Sequence, residues 1–189
     1  MQVNKASLLA QLEQVAQLGR ATRWQRMLYS PSRYISAMYF REVMYRFTRQ
    51  PKQVTAQTFY GIPLQVALPS GMDIYLTGGK THDSEIRLAK WMIGYISEGD
   101  TVVDVGAHYG YFTMLAAHLT GGKGQVIAFE AAPHTFDIFS QNAAPINYVK
   151  AEHAAVADQE GVLPFYEFPN QFAEYNTFHK EQFEKAPGT

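Results

Sequence analysis

The sequence predicts an α/β fold with a parallel sheet, and three stretches of the chain support this prediction. Residues 101–105 (TVVDV) have a strong extended preference, enter a loop that contains Gly106 and Gly110, and are followed by a helical run. Residues 125–130 and 148–152 read as two further buried strands, each preceded by a helical segment. Because such alternation is typical of parallel sheets, the 189 residues are interpreted mainly as one α/β domain.

The loop after the first of these strands is the part of the sequence most indicative of a ligand. A strand that turns through glycines into a helix forms the corner at which α/β sheets bind phosphates and nucleotides. Glycine suits this corner because a Cβ would collide with the ligand or force an unfavourable backbone angle. The loop is not a dinucleotide fingerprint, since Ala107 and His108 stand where its second glycine should fall, and it lacks the Lys-Ser/Thr pair of a P-loop.

Composition restricts the class of protein. Hydrophobic residues make up 47% and charged residues 17% of the chain, as in globular proteins. Cysteine is absent, which excludes disulfides and thiolate metal sites. No apolar run approaches the roughly 20 residues of a membrane span, so a cytoplasmic location is expected. Residues 1–52 hold nine Lys/Arg against two Glu, a net +7, whereas the remainder carries −8.

The basic N-terminal region is predicted to be helical. Apolar residues over 4–18 have mostly helical spacing, with Ser7 as the predicted cap, and 20–49 reads as one or two further helices broken near Ser30-Pro31. The second stretch is rich in aromatics and arginine. We favour a helical cap whose aromatics, among them Trp24, Tyr34, Tyr39 and Tyr45, pack on the main domain. The alternative is a basic amphipathic surface that contacts anionic lipid or nucleic acid.

Between this region and the glycine loop, short strands and one helix are expected. Three strands, 58–60, 64–68 and 73–76, are predicted to form an antiparallel β meander. A helix over 84–97 follows, with Asp83 or Ser84 as its cap and Glu85 in its first turn. Glu85 either compensates the helix dipole or faces a ligand. A further strand is predicted over 161–166.

Three blocks of sequence, in order, carry a resemblance to a known family. They are VVDVGAHYGYFTMLAA, GQVIAFEAAP and AAVADQEG, and the likeness extends over 71–168. Together they resemble the FkbM family within the class I S-adenosylmethionine-dependent methyltransferases. The resemblance implies an α/β fold with a Rossmann-like class I methyltransferase sheet and S-adenosyl-L-methionine as the cofactor. It also implies O-methylation of a hydroxyl on a sugar or a secondary metabolite.

The resemblance also nominates site residues. Those of the loop are Asp104, Gly106, Ala107, His108, Tyr109 and Gly110. Glu130 follows Gly106 by 24 residues, a spacing that suits a carboxylate accepting hydrogen bonds from ribose hydroxyls, and Ala131 lies beside it. Glu152, His153 and Ala154 remain open as the adenine contact, and Glu85 is expected to face the methionine ammonium. No catalytic base is nominated, and no metal site, because the histidines show no paired ligand spacing.

The family's later blocks have no counterpart, so the sheet is expected to be incomplete and the chain to be part of a longer enzyme. Three regions are predicted: 1–53 helical, 54–80 the meander, and 81–189 a partial cofactor-binding domain. The expected partner is a small-molecule or glycan acceptor, with no nucleic acid and at most a weak membrane-surface contact through the basic N-terminus. The alternatives are an NAD(P)-binding oxidoreductase, disfavoured by the loop, and a non-catalytic interaction module.

Overall fold

A computed structural model describes residues 3–159 and Gly161. The helices are α1 (Lys5–Arg20), α2 (Arg23–Tyr29), α3 (Pro31–Tyr39), α4 (Tyr45–Thr48), α5 (Met72–Thr77), α6 (Asp83–Tyr95), α7 (Tyr111–Thr120) and α8 (Pro133–Ala143). The strands are β1 (Lys52–Gln57), β2 (Pro63–Leu68), β3 (Thr101–Val105), β4 (Gln125–Phe129) and β5 (Val149–Glu152). A π turn, Phe40–Met44, joins α3 to α4. The strand predicted over 161–166 lies, apart from Gly161, outside the described residues.

The parallel sheet has the order β3-β4-β5, which confirms the predicted α/β fold. Side chains alternate between its faces, and the face that carries Val102, Val126 and Ala128 is covered by α7 and α8. The opposite face is open in the described part of the chain, where Val103 and Val105 are 59% and 60% exposed. In the same part of the chain, β3 is an edge strand of this sheet.

The predicted meander is instead an antiparallel hairpin followed by a helix. β1 pairs with β2, residues 58–60 form the turn between them, and the third predicted strand is helix α5. Residues 73–76 are too few to distinguish the two-residue hydrophobic period of a strand from the 3.6-residue period of a helix. The signal that decides is Gly78, which ends α5 in the left-handed conformation at φ 82°.

Helix α1 packs on α6 and shares one hydrophobic core with the parallel sheet. Leu8, Leu12 and Val15 are buried together with Leu115 and Val126. The α1 cap is Asn4, whose side chain accepts the Ser7 backbone N–H, so Ser7 is the partner of the cap and not the cap. The division into three regions at 53 and 80 stays a prediction.

The expectation that the N-terminal aromatics pack inward is correct for some and wrong for others. Tyr45 is buried, and Phe40 contacts its ring at a centroid distance of 6.3 Å. Trp24 is 73% exposed and Phe47 85% exposed, and Tyr29 and Tyr39 are also mainly in solvent. The predicted break is confirmed: α2 ends at Tyr29 and α3 begins at Pro31.

Helix α6 also begins differently from the prediction. His82 is its N-cap: the ring Nδ1 accepts the Ser84 N–H at 3.4 Å, and the Glu85 carboxylate accepts the His82 N–H at 3.3 Å. This reciprocal capping box occupies one oxygen of Glu85. Among residues 3–159 and Gly161, no helix is long and apolar enough to cross a membrane.

Candidate functional site

The glycine loop turns from β3 into α7 with three residues in the left-handed region. Gly106, His108 and Gly110 have φ of 82°, 52° and 86°. The backbone N–H groups of Gly106 and Ala107 both donate to the carbonyl of Phe129 at 2.9 Å, which fastens the loop to the end of β4. Left-handed backbone is uncommon for residues with a Cβ, so the two glycines are placed where this path requires them.

The two loop glycines have different surroundings. A Cβ built on Gly106 would meet no atom within 4 Å, whereas one on Gly110 would lie 2.7 Å from Cδ2 of Phe139. Gly110 therefore allows the loop to pack closely against Phe139 of α8. Open space at Gly106, at the carboxyl end of a parallel strand, is where a ligand can approach the backbone.

Glu130 is buried, and its carboxylate accepts a hydrogen bond from the glycine loop. Its Oε2 accepts the His108 backbone N–H at 2.8 Å, and its Oε1 accepts the Ala132 backbone N–H at 2.9 Å. Each carboxylate oxygen can accept a second hydrogen bond, so both retain capacity for a hydroxyl. Glu130 thus orders the loop, and its contact with ribose stays a prediction.

The side chain of Asp104 contacts helix α7. Its Oδ2 accepts the Thr113 hydroxyl at 2.5 Å, and Thr113 is fully buried. Burial raises the pKa of the Asp104 carboxyl above its ordinary value, and the Thr113 hydrogen bond lowers it in part. Ionisation of Asp104 is therefore less favourable in the folded protein than in solvent.

We expect Asp104→Asn to be more stable than the parent at neutral pH. With a raised folded pKa, the ionised acid lowers stability as pH rises from the ordinary carboxyl pKa through the folded pKa, and stability stays low above it. Asparagine removes this loss and keeps an acceptor for Thr113. Thermal melting across pH should show an advantage that vanishes in acid; Asp137→Asn, at an exposed position on α8, should show none. Equal pH profiles for Asp104→Asn and the parent would contradict the argument.

At the far end of the site, the segment after β5 lies against the segment after β4. His153 stacks on Phe136 with ring centroids 4.6 Å apart and 13° between planes, and its Nε2 lies 3.2 Å from the carbonyl oxygen of Ala131. The carboxylate of Glu152 is paired with Lys150 at 2.6 Å. The structure therefore brings His153 and Ala131 together at the carboxyl edge, with Ala154 adjacent in sequence.

Glu85 lies on the other side of the loop, near the start of α7. Its Oε1 is 3.3 Å from the Lys80 ammonium, and the Lys80 side chain is 9% exposed. Burial raises the pKa of Tyr111, the first residue of α7; a hydrogen bond with the Lys80 backbone lowers it, and the charges of Asp73 and Glu85 raise it further. Glu85 is thus close to the loop helix and already faces one ammonium, and its contact with a second stays a prediction.

Sequence reasoning missed Asn142. This residue of α8 is nearly buried, and its Oδ1 accepts the Gln65 N–H at 2.7 Å while its Nδ2 donates to the carbonyls of Gln65 at 2.9 Å and Tyr109 at 2.8 Å. Its side-chain amide bonds both backbone groups of Gln65, as a neighbouring strand would. It also bonds the backbone of the glycine loop at Tyr109. The available signal was an asparagine inside a helix, where it is disfavoured unless its side chain has a specific partner.

The hairpin contacts the loop at a second point. The hydroxyls of Ser70 and Tyr109 are 2.7 Å apart, and the Tyr109 side chain is almost fully buried. Three parts of the fold therefore hold the loop: the end of β4 with Glu130, Asn142 of α8, and the segment after β2. A loop held by so many contacts is pre-organised for a ligand, which lowers the entropy cost of binding.

Residues 104–188, a little under half of the chain, match the family model described as Methyltransferase FkbM domain. This part of the chain is similar to the FkbM methyltransferases. The match agrees with the family resemblance carried by the three sequence blocks. The family match leaves the NAD(P)-binding alternative without support. No curated protein matches the chain.

Solved structures similar to this chain include methyltransferases. One is TYW2 of P. horikoshii in complex with MeSAdo (19% identity, 60% of this chain and 39% of that chain, TM-score 0.39). Another is an O-methyltransferase from Thermotoga maritima that is SAM-dependent (21%, 53% and 40%, TM-score 0.35). A third is a SAM-dependent methyltransferase from Aquifex aeolicus (22%, 42% and 41%, TM-score 0.31). The chain spans less than half the length of each.

Proposed function

We propose that this chain is the cofactor-binding part of an S-adenosylmethionine-dependent methyltransferase. The observation that supports this most directly is Gly106, which has a positive φ and open space around its missing side chain at the carboxyl end of β3. The resemblance to the FkbM family implies that S-adenosyl-L-methionine is the group that would fill this space.

Residues along the carboxyl edge fit the parts of that cofactor. The open backbone at Gly106 suits the methionine portion, the spare acceptor capacity of Glu130 suits ribose hydroxyls, and the Phe136–His153 stack offers an apolar wall for a flat base. The cofactor supplies an electrophilic methyl group on a sulfonium. The contribution of this chain is to orient the cofactor, and orientation of reacting groups can contribute about 7–11 kcal/mol to a barrier.

We further propose that the methyl acceptor is a hydroxyl on a sugar or a secondary metabolite. This finer assignment is supported by the family resemblance alone. A hydroxyl acceptor needs a general base within hydrogen-bond reach. Among the described residues, none is assigned this role.

Calorimetric titration with adenosylhomocysteine and, separately, NAD tests the proposal. We expect adenosylhomocysteine to bind and NAD not to bind. Glu130→Gln should weaken adenosylhomocysteine binding by about 1.5–3 kcal/mol, because a charge-assisted acceptor is lost. Glutamine is preferred to alanine because its one oxygen can still accept the His108 N–H of the loop.

The matched control for this prediction is Asp137→Asn, which removes the same charge from an exposed position on α8. It should leave the dissociation constant unchanged. A folded Glu130→Gln variant that binds adenosylhomocysteine as tightly as the parent would refute the ribose contact. Binding of NAD in place of adenosylhomocysteine would refute the function itself.

A further inference from the structure

A helix in the basic N-terminal region presents an apolar stripe to solvent. The segments α3, π turn and α4 follow one another without a break in helical backbone from Pro31 to Thr48. Four large apolar side chains occur along it at intervals of four residues and are all exposed: Ile35, Tyr39, Val43 and Phe47. We call these four residues the outer stripe. Phe47 is 85% exposed.

The π turn keeps the outer stripe on one side of the helix. In a regular α-helix, a four-residue step passes a full turn by about 40°, so four such residues would wind around the axis. The π turn uses i→i+5 bonds and takes more residues per revolution, which cancels part of this drift. The same turn places Tyr45 over Phe40 on the inner side, where the Tyr45 N–H donates to the Phe40 carbonyl.

Unpaired positive charge surrounds the end of the outer stripe. Arg46, Arg49 and Lys52 are exposed and make no ion pair or side-chain hydrogen bond within the described residues. No acidic residue occurs between Glu42 and Asp73. Glu42 itself is paired with Arg41 at 2.6 Å. On the inner side of the same helix, by contrast, an arginine has a partner within the fold: the Arg33 guanidinium lies over the Tyr75 ring, 5.8 Å from its centroid.

We propose that the outer stripe docks this protein onto an anionic lipid bilayer. An amphipathic helix binds in the membrane interface when its apolar face carries aromatic and aliphatic residues and its flanks carry Lys or Arg. Ile35 and Val43 favour lipid over nucleic acid, because bases stack on aromatic rings and not on branched aliphatic side chains. The adjacent helix α2 buries none of its residues and exposes Trp24 and Leu28, which adds apolar surface to the same region.

The charge distribution of the whole chain agrees with this orientation. Residues 1–52 carry a net +7 and the rest −8, so an anionic surface attracts the helical end of the molecule and repels the remainder. The glycine loop lies in the acidic part of the chain. Docking through the outer stripe therefore does not require the cofactor, and the proposal can fail while the methyltransferase assignment stands.

Vesicle co-sedimentation of the full chain tests the proposal, with phosphatidylcholine vesicles compared with phosphatidylcholine–phosphatidylglycerol vesicles. We expect binding to the mixed vesicles alone, weakened by salt because the attraction is screened. Phe47→Ser and Arg46→Glu should each reduce the partition coefficient about tenfold or more. Both positions are exposed, so folding should be preserved, and circular dichroism verifies this.

Matched controls on α6 make the result specific. Trp91→Ser removes another exposed aromatic, and Arg87→Glu reverses another exposed arginine that has no ion-pair partner in the described part of the chain. Both should bind the mixed vesicles like the parent. Equal losses in the controls, or equal binding to neutral vesicles, would overturn the proposal. So would a dimer or a complex with single-stranded oligonucleotide that is lost in Phe47→Ser while vesicle binding is absent.

Discussion

Gly110→Ala is expected to lower the free energy of unfolding by about 3 kcal/mol, which combines left-handed strain with overpacking. At φ 86° any residue with a Cβ is strained, and this Cβ would lie 2.7 Å from Cδ2 and 3.0 Å from Cε2 of Phe139. Phe139 is fully buried, so its ring cannot move aside without disturbing the contact between α8 and the loop. Thermal or denaturant unfolding measures the loss.

Gly106→Ala is the informative comparison, because its φ of 82° is almost the same but its surroundings are open. Strain alone should cost about 1 kcal/mol, which corresponds to a shift of a few degrees in melting temperature. The new methyl group would instead occupy the space proposed for the cofactor. We expect calorimetric titration to detect no adenosylhomocysteine binding to the folded variant.

The pair of glycine variants therefore separates fold from ligand. Loss of stability should be larger at Gly110 and loss of binding larger at Gly106. Parent-like affinity in Gly106→Ala would show that the loop does not contact the cofactor, and would remove the main structural support for the proposed function. Equal loss of stability in both variants would show that the Phe139 ring can move away from the new methyl group at little cost.

The parallel strands were predictable to within a residue because each is short, apolar and bounded by glycine, proline or charge. β3 was predicted and found at 101–105, and β4 was predicted over 125–130 and ends at Phe129. α5 was not predictable in the same way, because four alternating residues fit either period. The correct indicator was Gly78, which ends α5 in the left-handed conformation.

The site was predictable where spacing along the chain determines it. Strand ends of a parallel sheet meet at one edge, so the positions of Gly106, Glu130 and His153 followed from the three strands. The bonds that hold the loop did not follow. Glu130 accepting the His108 N–H depends on a left-handed residue that is not glycine, and Asn142 reaches Tyr109 across 33 residues. Such contacts arise from tertiary packing and produce no periodic pattern in the sequence.

Asn142→Leu should have an effect of similar size to Gly110→Ala, by a different mechanism. Leucine has the same branching and the same number of side-chain heavy atoms but no polar atoms, so the Gln65 N–H, the Gln65 carbonyl and the Tyr109 carbonyl would lose their partner. Each buried group left without a hydrogen bond costs about 1–3 kcal/mol, and we expect a total loss of about 3 kcal/mol or more. Gln141→Leu, one position earlier and exposed, should change stability by less than about 0.5 kcal/mol.

Asn142→Asp distinguishes loss of donors from loss of shape. Aspartate keeps an acceptor for the Gln65 N–H, but its second oxygen faces two carbonyl oxygens. Because these oxygens repel a carboxylate, the pKa of the new acid is raised in the folded protein. The destabilisation should therefore be large at neutral pH and smaller in acid, where the protonated oxygen can donate to one carbonyl. Because the Tyr109 carbonyl belongs to the glycine loop, adenosylhomocysteine binding should recover together with stability as pH falls. A pH-independent loss would show that Asn142 acts through packing and not through its hydrogen bonds.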